Sequence, residues 1–123
     1  SRRQVRKLYL GDNNITHEGI QHLAAALRNN GTLEELYLQY TAIGDAGLQH
    51  LLEMLPHNQT LRRLECGCCG ITSQGAQEVV KVLRRKENST LEILGLFGND
   101  DEIDDDLPEI YALLAENSGG GKK

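Results

Sequence analysis

The stretch LEELYLQYTAI, residues 33–43, decides the fold, because its spacing of apolar residues recurs along the chain. The same pattern starts at Val5, Leu33, Leu61 and Leu91, so successive starts lie 28, 28 and 30 residues apart. A nearly constant period of this length is typical of a stacked array of structural repeats, each of which contacts its neighbours.

Each repeat combines two periodicities. Leu36 and Leu38 alternate with polar or aromatic residues, which predicts a short strand with one buried face. Further along, Leu48, Leu51 and Leu55 are spaced three and four apart, as on one face of a helix. Every repeat is therefore predicted to be a strand, a turn and a helix.

Polar side chains recur at the junctions of these predicted elements. Candidate helix N-caps are Thr16, Asp45 and Thr72 or Ser73. The predicted strands end at Asn13, Thr41, Cys69 and Asn99. Side chains at that position are expected to bond to neighbouring loop backbone and to form a ladder along the stack.

The charge order agrees with an in-register parallel stack, in which residues at one phase become neighbours. One such column reads Arg6, Glu34, Arg62, Glu92, and the next reads Lys7, Glu35, Arg63, Ile93. Opposite charges alternate in both columns. Each exposed pair contributes less than ~1 kcal/mol, so we use this order as evidence of register rather than of stability.

The repeat pattern resembles a known family. Leu-x-x-Leu-x-Leu-x-x-(Asn, Cys or Thr)-x-Ile, followed by a helix and an Asn-x-Thr-Leu joint, is similar to the ribonuclease-inhibitor-like class of leucine-rich repeats. That class also includes the Ran GTPase-activating protein, NOD-like receptors and tropomodulins. The resemblance implies an α/β solenoid, a right-handed superhelix of four repeats with an inner parallel sheet and outer helices.

We expect one leucine-rich repeat domain over residues 5–117, with repeats 5–32, 33–60, 61–90 and 91–117. Residues 1–4 form an N-terminal extension, and residues 118–123 form a flexible, Gly-rich tail. The last repeat is expected to be the C-terminal cap. It has an acidic loop, and then Asp106, Pro108 and Glu109 mark the start of a final helix with capping-box spacing.

The two ends of the array differ in sequence. Residues 1–4 are too short to cap the first repeat, so the N-terminal edge is expected to meet further repeats or a partner. Arg2, Arg3, Arg6 and Lys7 lie at that end, and the Asp cluster lies at the other. This polarity also suggests self-association of two copies, head to tail.

The residues between the buried leucines are predicted to form the concave face, and four of the five aromatic residues lie there. Exposed aromatic rings with a few charges are typical of protein-binding surfaces. The candidate partner-binding residues are Tyr9, Tyr37, Gln39, Tyr40, Glu65 and Phe97. The alternative interpretation is that the tyrosine rings only cover neighbouring strands.

Other function classes receive little support. The net charge is −5, no apolar run approaches the ~20 residues of a membrane span, and the basic residues 81–86 suit a solvated helix better than nucleic acid. Cys66 and Cys69 occupy core and ladder positions, which suits free thiols in a reducing, cytoplasmic compartment. Neither metal-ligand spacing nor a nucleophile and base pair is present, so we expect no cofactor, no metal and no enzyme.

These features predict a non-catalytic protein–protein interaction module, a scaffold or recognition domain whose concave face binds a folded protein partner. The family resemblance leaves other functions open. One is regulation of an enzyme, as a GTPase activator or a ribonuclease-type inhibitor. Another is a role as the ligand-sensing tail of a NOD-like receptor.

Overall fold

The computed structural model describes residues 4–117, which form the predicted α/β solenoid of four strand-turn-helix repeats. One parallel sheet contains, in spatial order, β1 (Lys7–Tyr9), β2 (Glu35–Tyr37), β3 (Arg63–Glu65) and β4 (Ile93–Gly95). The outer layer consists of α1 (His17–Leu27), α2 (Gly44–Met54), α3 (Ser73–Arg84) and α4 (Leu107–Ala115). The predicted tail 118–123 and most of the extension 1–4 lie outside the described residues. Within residues 4–117, no helix is both long and apolar enough to cross a membrane.

The strands pair in the register that the repeat phase predicts. Leu8, Leu36, Leu64 and Leu94 are direct neighbours across the sheet, and so are Lys7, Glu35, Arg63 and Ile93. The predicted charge columns therefore exist as rows of adjacent residues. Ion pairs form across them between Lys7 and Glu35 at 3.9 Å and between Arg62 and Glu92 at 3.0 Å.

The core lies between the sheet and the helices. It contains the inward-facing residues of β2 to β4 together with the apolar face of each helix. In α1 these are Ile20, Ala24 and Leu27, which are buried three and four residues apart as the helical period requires. Leu55 is buried as predicted, but α2 ends at Met54 and Leu55–His57 form a short 3-10 turn. Pro56 explains that end, because proline cannot continue the α-helical hydrogen bonds.

A ladder of side chains links the strand ends, as the sequence predicts. Asn99 donates from Nδ2 to the carbonyls of Cys66 and Leu96, both at 2.9 Å. Its Oδ1 accepts from the amides of Cys69 and Ile71 at 2.9 and 3.0 Å. Three of these four hydrogen bonds join repeat four to repeat three, and the bond to Leu96 lies within repeat four.

A second ladder, of asparagines, runs along the joints between each helix and the next strand. Asn58 is buried, donates to the Leu27 carbonyl at 2.7 Å, and accepts from the Leu61 amide at 2.8 Å. Asn88 repeats this arrangement one unit further, with a bond of 2.9 Å to the Leu55 carbonyl. The Asn-x-Thr-Leu joint thus connects consecutive repeats through side-chain hydrogen bonds.

The prediction that Asp45 caps its own helix is wrong. Asp45 lies in the first turn of α2, and its carboxylate accepts from the Thr72 amide at 2.9 Å and from the Thr72 hydroxyl at 2.5 Å. A Cβ at Gly75 would overlap this carboxylate, so the glycine leaves room for the contact between repeats. Thr16 and Thr72 do stand at helix N-caps, but neither side chain makes a capping hydrogen bond.

The acidic segment of repeat four is not an open loop. Asp101–Asp105 form a 3-10 helix whose Ile103 side chain is buried, and Asp100 accepts from the Glu102 amide at 3.0 Å. The final helix α4 begins at Leu107 with an early proline, as predicted, and it buries Ile110 and Leu114. Its capping box does not form, because the Asp106 side chain makes no capping bond and Glu109 pairs with Arg84.

Candidate protein-binding surface

The concave surface carries a contiguous row of side chains across the first three strands. The rings of Tyr9 and Tyr37 stack with centroids 4.4 Å apart and an interplanar angle of 11°. The Arg63 guanidinium lies over the Tyr37 ring, 5.4 Å from its centroid, and pairs with Glu65 at 2.9 Å. We call Tyr9, Tyr37, Arg63 and Glu65 the concave row.

Parallel pairing creates this row. Tyr9, Tyr37 and Glu65 are register partners, and each lies between two residues that belong to the core or pack against it. Their side chains therefore point away from the core, toward the concave side. Tyr9 is 65% exposed, while Tyr37 is partly covered by its neighbours. The row presents an aromatic surface at one end and an ion pair at the other.

Hydrogen bonds and charges hold the middle of the row in place. The Tyr37 hydroxyl donates to a Glu35 carboxylate oxygen at 2.5 Å, and this bond raises the pKa of Tyr37 to about 12. The bond to Glu65 likewise raises the pKa of Arg63 above its ordinary value. Two side chains of the row thus gain fixed partners before any ligand arrives, which lowers the entropic cost of binding.

At the register position of Tyr9, Tyr37 and Glu65, the fourth repeat has a glycine and therefore no side chain. Gly95 occupies the register position next to Glu65, and a Cβ there would overlap the Glu65 carboxylate. The glycine therefore allows Glu65 to lie toward β4. The concave row ends at this point.

Gln39 and Tyr40 lie beside the concave row, nearer the strand ends. Gln39 is partly buried, and its Cγ would be 3.6 Å from a Cβ at Gly67. Tyr40 is 60% exposed and has a φ of 61°, a turn conformation shared by Asp12 and Cys68 at the same phase. The Cys68 thiol beside it raises the pKa of Tyr40, and both residues line an open hollow of about 470 Å³.

Phe97 has the same phase as Gln39 but lies two strands away, at the C-terminal edge of the sheet. It is 86% exposed and lies past the end of β4, where it lines a different hollow together with Tyr111 of α4. The structure therefore brings together Tyr9, Tyr37 and Glu65, sets Gln39 and Tyr40 beside them, and leaves Phe97 at the C-terminal edge. The sequence phase alone had placed all six on one continuous face.

Arg63 was missing from the predicted site. Its column, with Lys7, Glu35 and Ile93, was interpreted only as evidence of register, although the strand alternation also places it on the concave side. An arginine one strand away from a tyrosine is a signal that the sequence contains. The contact itself depends on side-chain conformation, which the repeat phase does not specify.

Two of the three cysteines lie in the core and in the strand-end ladder. Cys66 and Cys69 are free and buried, and their mutual hydrogen bond raises the pKa of Cys66 well above its ordinary value while it lowers that of Cys69. Cys69 also contacts the Leu38 carbonyl at 3.1 Å as part of the strand-end ladder. Among residues 4–117, no group of three or more His, Cys, Asp or Glu side chains is arranged to hold a metal ion.

The basic residues in and just after α3 are largely paired. Lys81 contacts Glu78 at 3.2 Å, Arg84 contacts Glu109 of α4 at 2.5 Å, and Lys86 forms an ion pair with Glu116. Their charges are therefore partly neutralised on the protein itself. The Arg84–Glu109 pair links α3 to α4, and the Lys86–Glu116 pair links the residues that follow the two helices.

The fold and the repeated surface define a class of protein. The sequence model of the leucine-rich repeat matches residues 4–24, 29–52 and 57–80, which together exceed half of the chain. The chain therefore belongs to the leucine-rich repeat family. The fourth repeat, with its 3-10 helix, lies outside these matches.

Comparison with solved structures agrees with this assignment. The chain is similar to the structure of leiomodin-1 actin-binding site 2, with a TM-score of 0.83 and 24% sequence identity. The match covers 95% of this chain but 66% of that chain, so this protein spans just under two thirds of its neighbour. At this identity the likeness establishes the fold. No curated protein sequence matches the chain significantly.

Proposed function

We propose that this domain is a non-catalytic protein-interaction module that binds a folded protein partner through its concave surface. The observation that carries the proposal is the concave row, in which two stacked tyrosines, an arginine and a glutamate are held together across three strands. Tyrosine and arginine dominate the energetics of many protein interfaces, because each contributes a large contact area together with a polar group.

The organisation of the row also favours recognition over simple coverage of the sheet. A ring that only shields backbone needs neither a fixed hydroxyl nor a guanidinium over its face. Tyr37 has both, and Tyr9 keeps most of its surface exposed beside it. The partner that fits this surface would present apolar area to the tyrosines and polar groups to Arg63 and Glu65.

The experiment compares capture of partners from cell extract by the native domain and by two variants. A Tyr9→Ala and Tyr37→Ala double variant removes the aromatic half of the row. The matched control, His22→Ala with Glu53→Ala, truncates two exposed side chains on α1 and α2. Quantitative mass spectrometry should show the principal partner reduced about tenfold or more by the first variant and unchanged by the control. Equal capture by all three folded proteins would refute binding through the concave surface.

Actin is the first partner to measure directly, since the similar structure is described as an actin-binding site of leiomodin-1. Co-sedimentation with filaments and fluorescence anisotropy with monomeric actin would test both forms. Loss of actin binding in the tyrosine double variant would locate the actin-binding site at the concave row. Absence of any binding would remove actin as a candidate and leave the captured partner to be identified.

A further inference from the structure

A second surface lies at the C-terminal edge of the sheet, between β4 and α4. Two neighbouring hollows of about 230 and 380 Å³ occupy this region, and Tyr111 lines both of them. The smaller is lined by Ile93 and Leu94 of β4 and by Leu114 of α4, and the larger continues past Leu96 and Phe97. We call the two together the edge groove.

The edge groove contains backbone donors without a neighbouring strand. In each earlier repeat, two amides at the strand end donate to the next strand, as Cys66 does to Gly95 at 2.7 Å and Cys68 to Phe97 at 2.8 Å. The same phase in repeat four is occupied by Leu96 and Gly98, and the described chain has no strand beyond β4. Both residues line the larger hollow. An extended backbone placed there would accept these two hydrogen bonds.

The groove has apolar side chains at positions where charged residues normally protect an edge strand against pairing with another chain. Lys7, Glu35 and Arg63 place charges at one register position, but β4 places Ile93 there, with 44% of its surface exposed. Phe97 and Tyr111 are 86% and 52% exposed nearby. Charged residues on an edge strand oppose pairing with another chain, so their replacement by isoleucine favours it.

The charged residues that line the groove are all acidic, and one of them, Glu92, pairs with Arg62 at 3.0 Å. Asp100, Asp101 and Asp104 line the end that follows β4, Glu92 lines the opposite end, and no lysine or arginine contributes to either lining. From Glu92 to Phe97 the edge extends roughly 17 Å at ~3.3 Å per residue, enough for an extended segment of about five residues. A partner that pairs with the edge would meet three aspartates beyond its last paired residue.

We propose that the edge groove binds an extended peptide segment of a partner protein, as a fifth parallel strand whose apolar residues contact Ile93 and Tyr111 and whose C-terminal end carries lysine or arginine. The parallel direction continues that of the sheet and brings the basic end to Asp101 and Asp104. A second copy of this chain fits less well. In-register stacking would bring its Arg6 and Lys7 beside Glu92 and Ile93, at the opposite end of the groove from the aspartates.

The binding experiment uses a fluorescent peptide of alternating valine and threonine that ends in three lysines. Two control peptides carry glutamates in place of the lysines, or N-methyl groups on the backbone nitrogens that face β4. We expect saturable binding of the lysine peptide, with affinity reduced about tenfold or more for each control, because one loses charge complementarity and the other loses strand pairing. Equal binding of all three peptides would overturn the proposal.

Variants of the domain locate the site. Asp101→Asn with Asp104→Asn should weaken peptide binding about fivefold or more at low salt and less at high salt, because the contacts are exposed and screened. Glu102→Gln with Asp105→Asn removes the same charge from the same 3-10 helix, but neither residue lines the groove. Equal losses in both pairs would indicate only a general attraction to acidic protein and would contradict a built groove.

Tyr111→Ser tests the apolar contact and separates this proposal from the concave surface. It should weaken the lysine peptide about tenfold while Tyr9→Ala with Tyr37→Ala leaves that peptide unaffected. Far-UV circular dichroism and urea unfolding would establish that each variant folds. If sedimentation instead detects self-association of the native domain that Tyr111→Ser abolishes, the groove binds a second copy and the peptide assignment is wrong.

Discussion

At the first strand, Leu8 and Leu10 are only half-buried and Val5 is 59% exposed, although all three occupy core positions of the repeat. At the last strand, the equivalent Leu91, Leu94 and Leu96 are almost completely buried. The repeats have the same pattern of apolar residues, so the difference comes from their neighbours. Within residues 4–117, repeat one has a neighbouring repeat on one side only, while repeat four carries the 3-10 helix and α4 against its core.

The two ends also differ in the residues that they expose at the sheet edge. The less buried end carries Arg6 and Lys7 beside β1, which protects that edge against pairing. The better buried end places Ile93 and Phe97 on its surface. Repeat four therefore combines a well-buried core with a sheet edge that exposes apolar side chains. The comparison teaches that burial of the core and protection of the sheet edge are separate properties of a solenoid end.

The largest expected effect contrasts the two ends of the core. Leu94→Ala should lower the free energy of unfolding by about 2 to 5 kcal/mol, because the side chain is almost wholly buried and leaves a cavity. Leu8→Ala at the same register position should cost about 1 to 2 kcal/mol, since much of that side chain already meets solvent. Urea unfolding followed by circular dichroism measures both. Equal losses would mean that the N-terminal edge is covered in solution.

The strand-end ladder gives the next contrast. Asn99→Ala removes four hydrogen bonds, three of them to repeat three, and should lower the free energy of unfolding by about 2 to 3 kcal/mol. Asn13→Ala removes only contacts within its own turn, to the carbonyls of Leu10 and Gly11, and should cost less than about 1 kcal/mol. The same unfolding assay applies. A larger loss at Asn13 would contradict the view that the ladder acts between repeats.

Exchanging the charges at the two sheet edges should change association more than stability. Ile93→Lys gives β4 the residue that β1 has, and its effect on unfolding should stay within about 0.5 kcal/mol because the position is exposed. Lys7→Ile makes the reverse change. Light scattering at high protein concentration should show more association for Lys7→Ile than for Ile93→Lys. The opposite order would indicate that β1 is not an available edge.

The smallest expected effect concerns pH and the link between Tyr37, Glu35 and Lys7. Because the folded-state pKa of Tyr37 is about 12, above its ordinary value of 10.0, the unfolded chain loses this proton first as the pH rises. The contribution of Tyr37 to stability is therefore complete below pH 10 and decreases between about 10 and 12.

Absorbance titration of the phenolate checks the Tyr37 prediction. Glu35→Gln should move the Tyr37 pKa back toward its ordinary value, since the carboxylate that accepts its hydroxyl proton is the main cause of the shift. Lys7→Gln provides a control beside β1, because it keeps the Tyr37 to Glu35 bond. An unchanged titration in Glu35→Gln would show that this hydrogen bond is absent in solution.

Much of the fold could be predicted from spacing. The period of 28 to 30 residues specified four units, the alternation at Leu36 and Leu38 specified strands, and the phase specified their register. The strand-end ladder was also predictable, because a polar residue at a fixed strand end has few partners other than local backbone. The sequence could not reveal the actual contact of Asp45, because its partner, Thr72, belongs to another repeat.

The binding surface was predictable only in part. The phase correctly assigned Tyr9, Tyr37 and Glu65 to one row, but it could not foresee the ring stacking or the position of Arg63. Regulation of an enzyme and ligand sensing in a receptor stay predictions from the family resemblance. The cytoplasmic location stays a prediction from the positions of Cys66 and Cys69.

The sequence by itself determined the number of repeats, the order of the strands and which residues share a face, because these follow from periodicity and from the short range of backbone geometry. Only the tertiary structure decided which exposed side chains meet. Phe97 lines the edge groove with Tyr111, because α4 lies beside it at the end of the stack. Contacts of that kind depend on what packs beyond the last strand. The repeat pattern specifies only contacts between equivalent positions of neighbouring repeats, so it does not predict them.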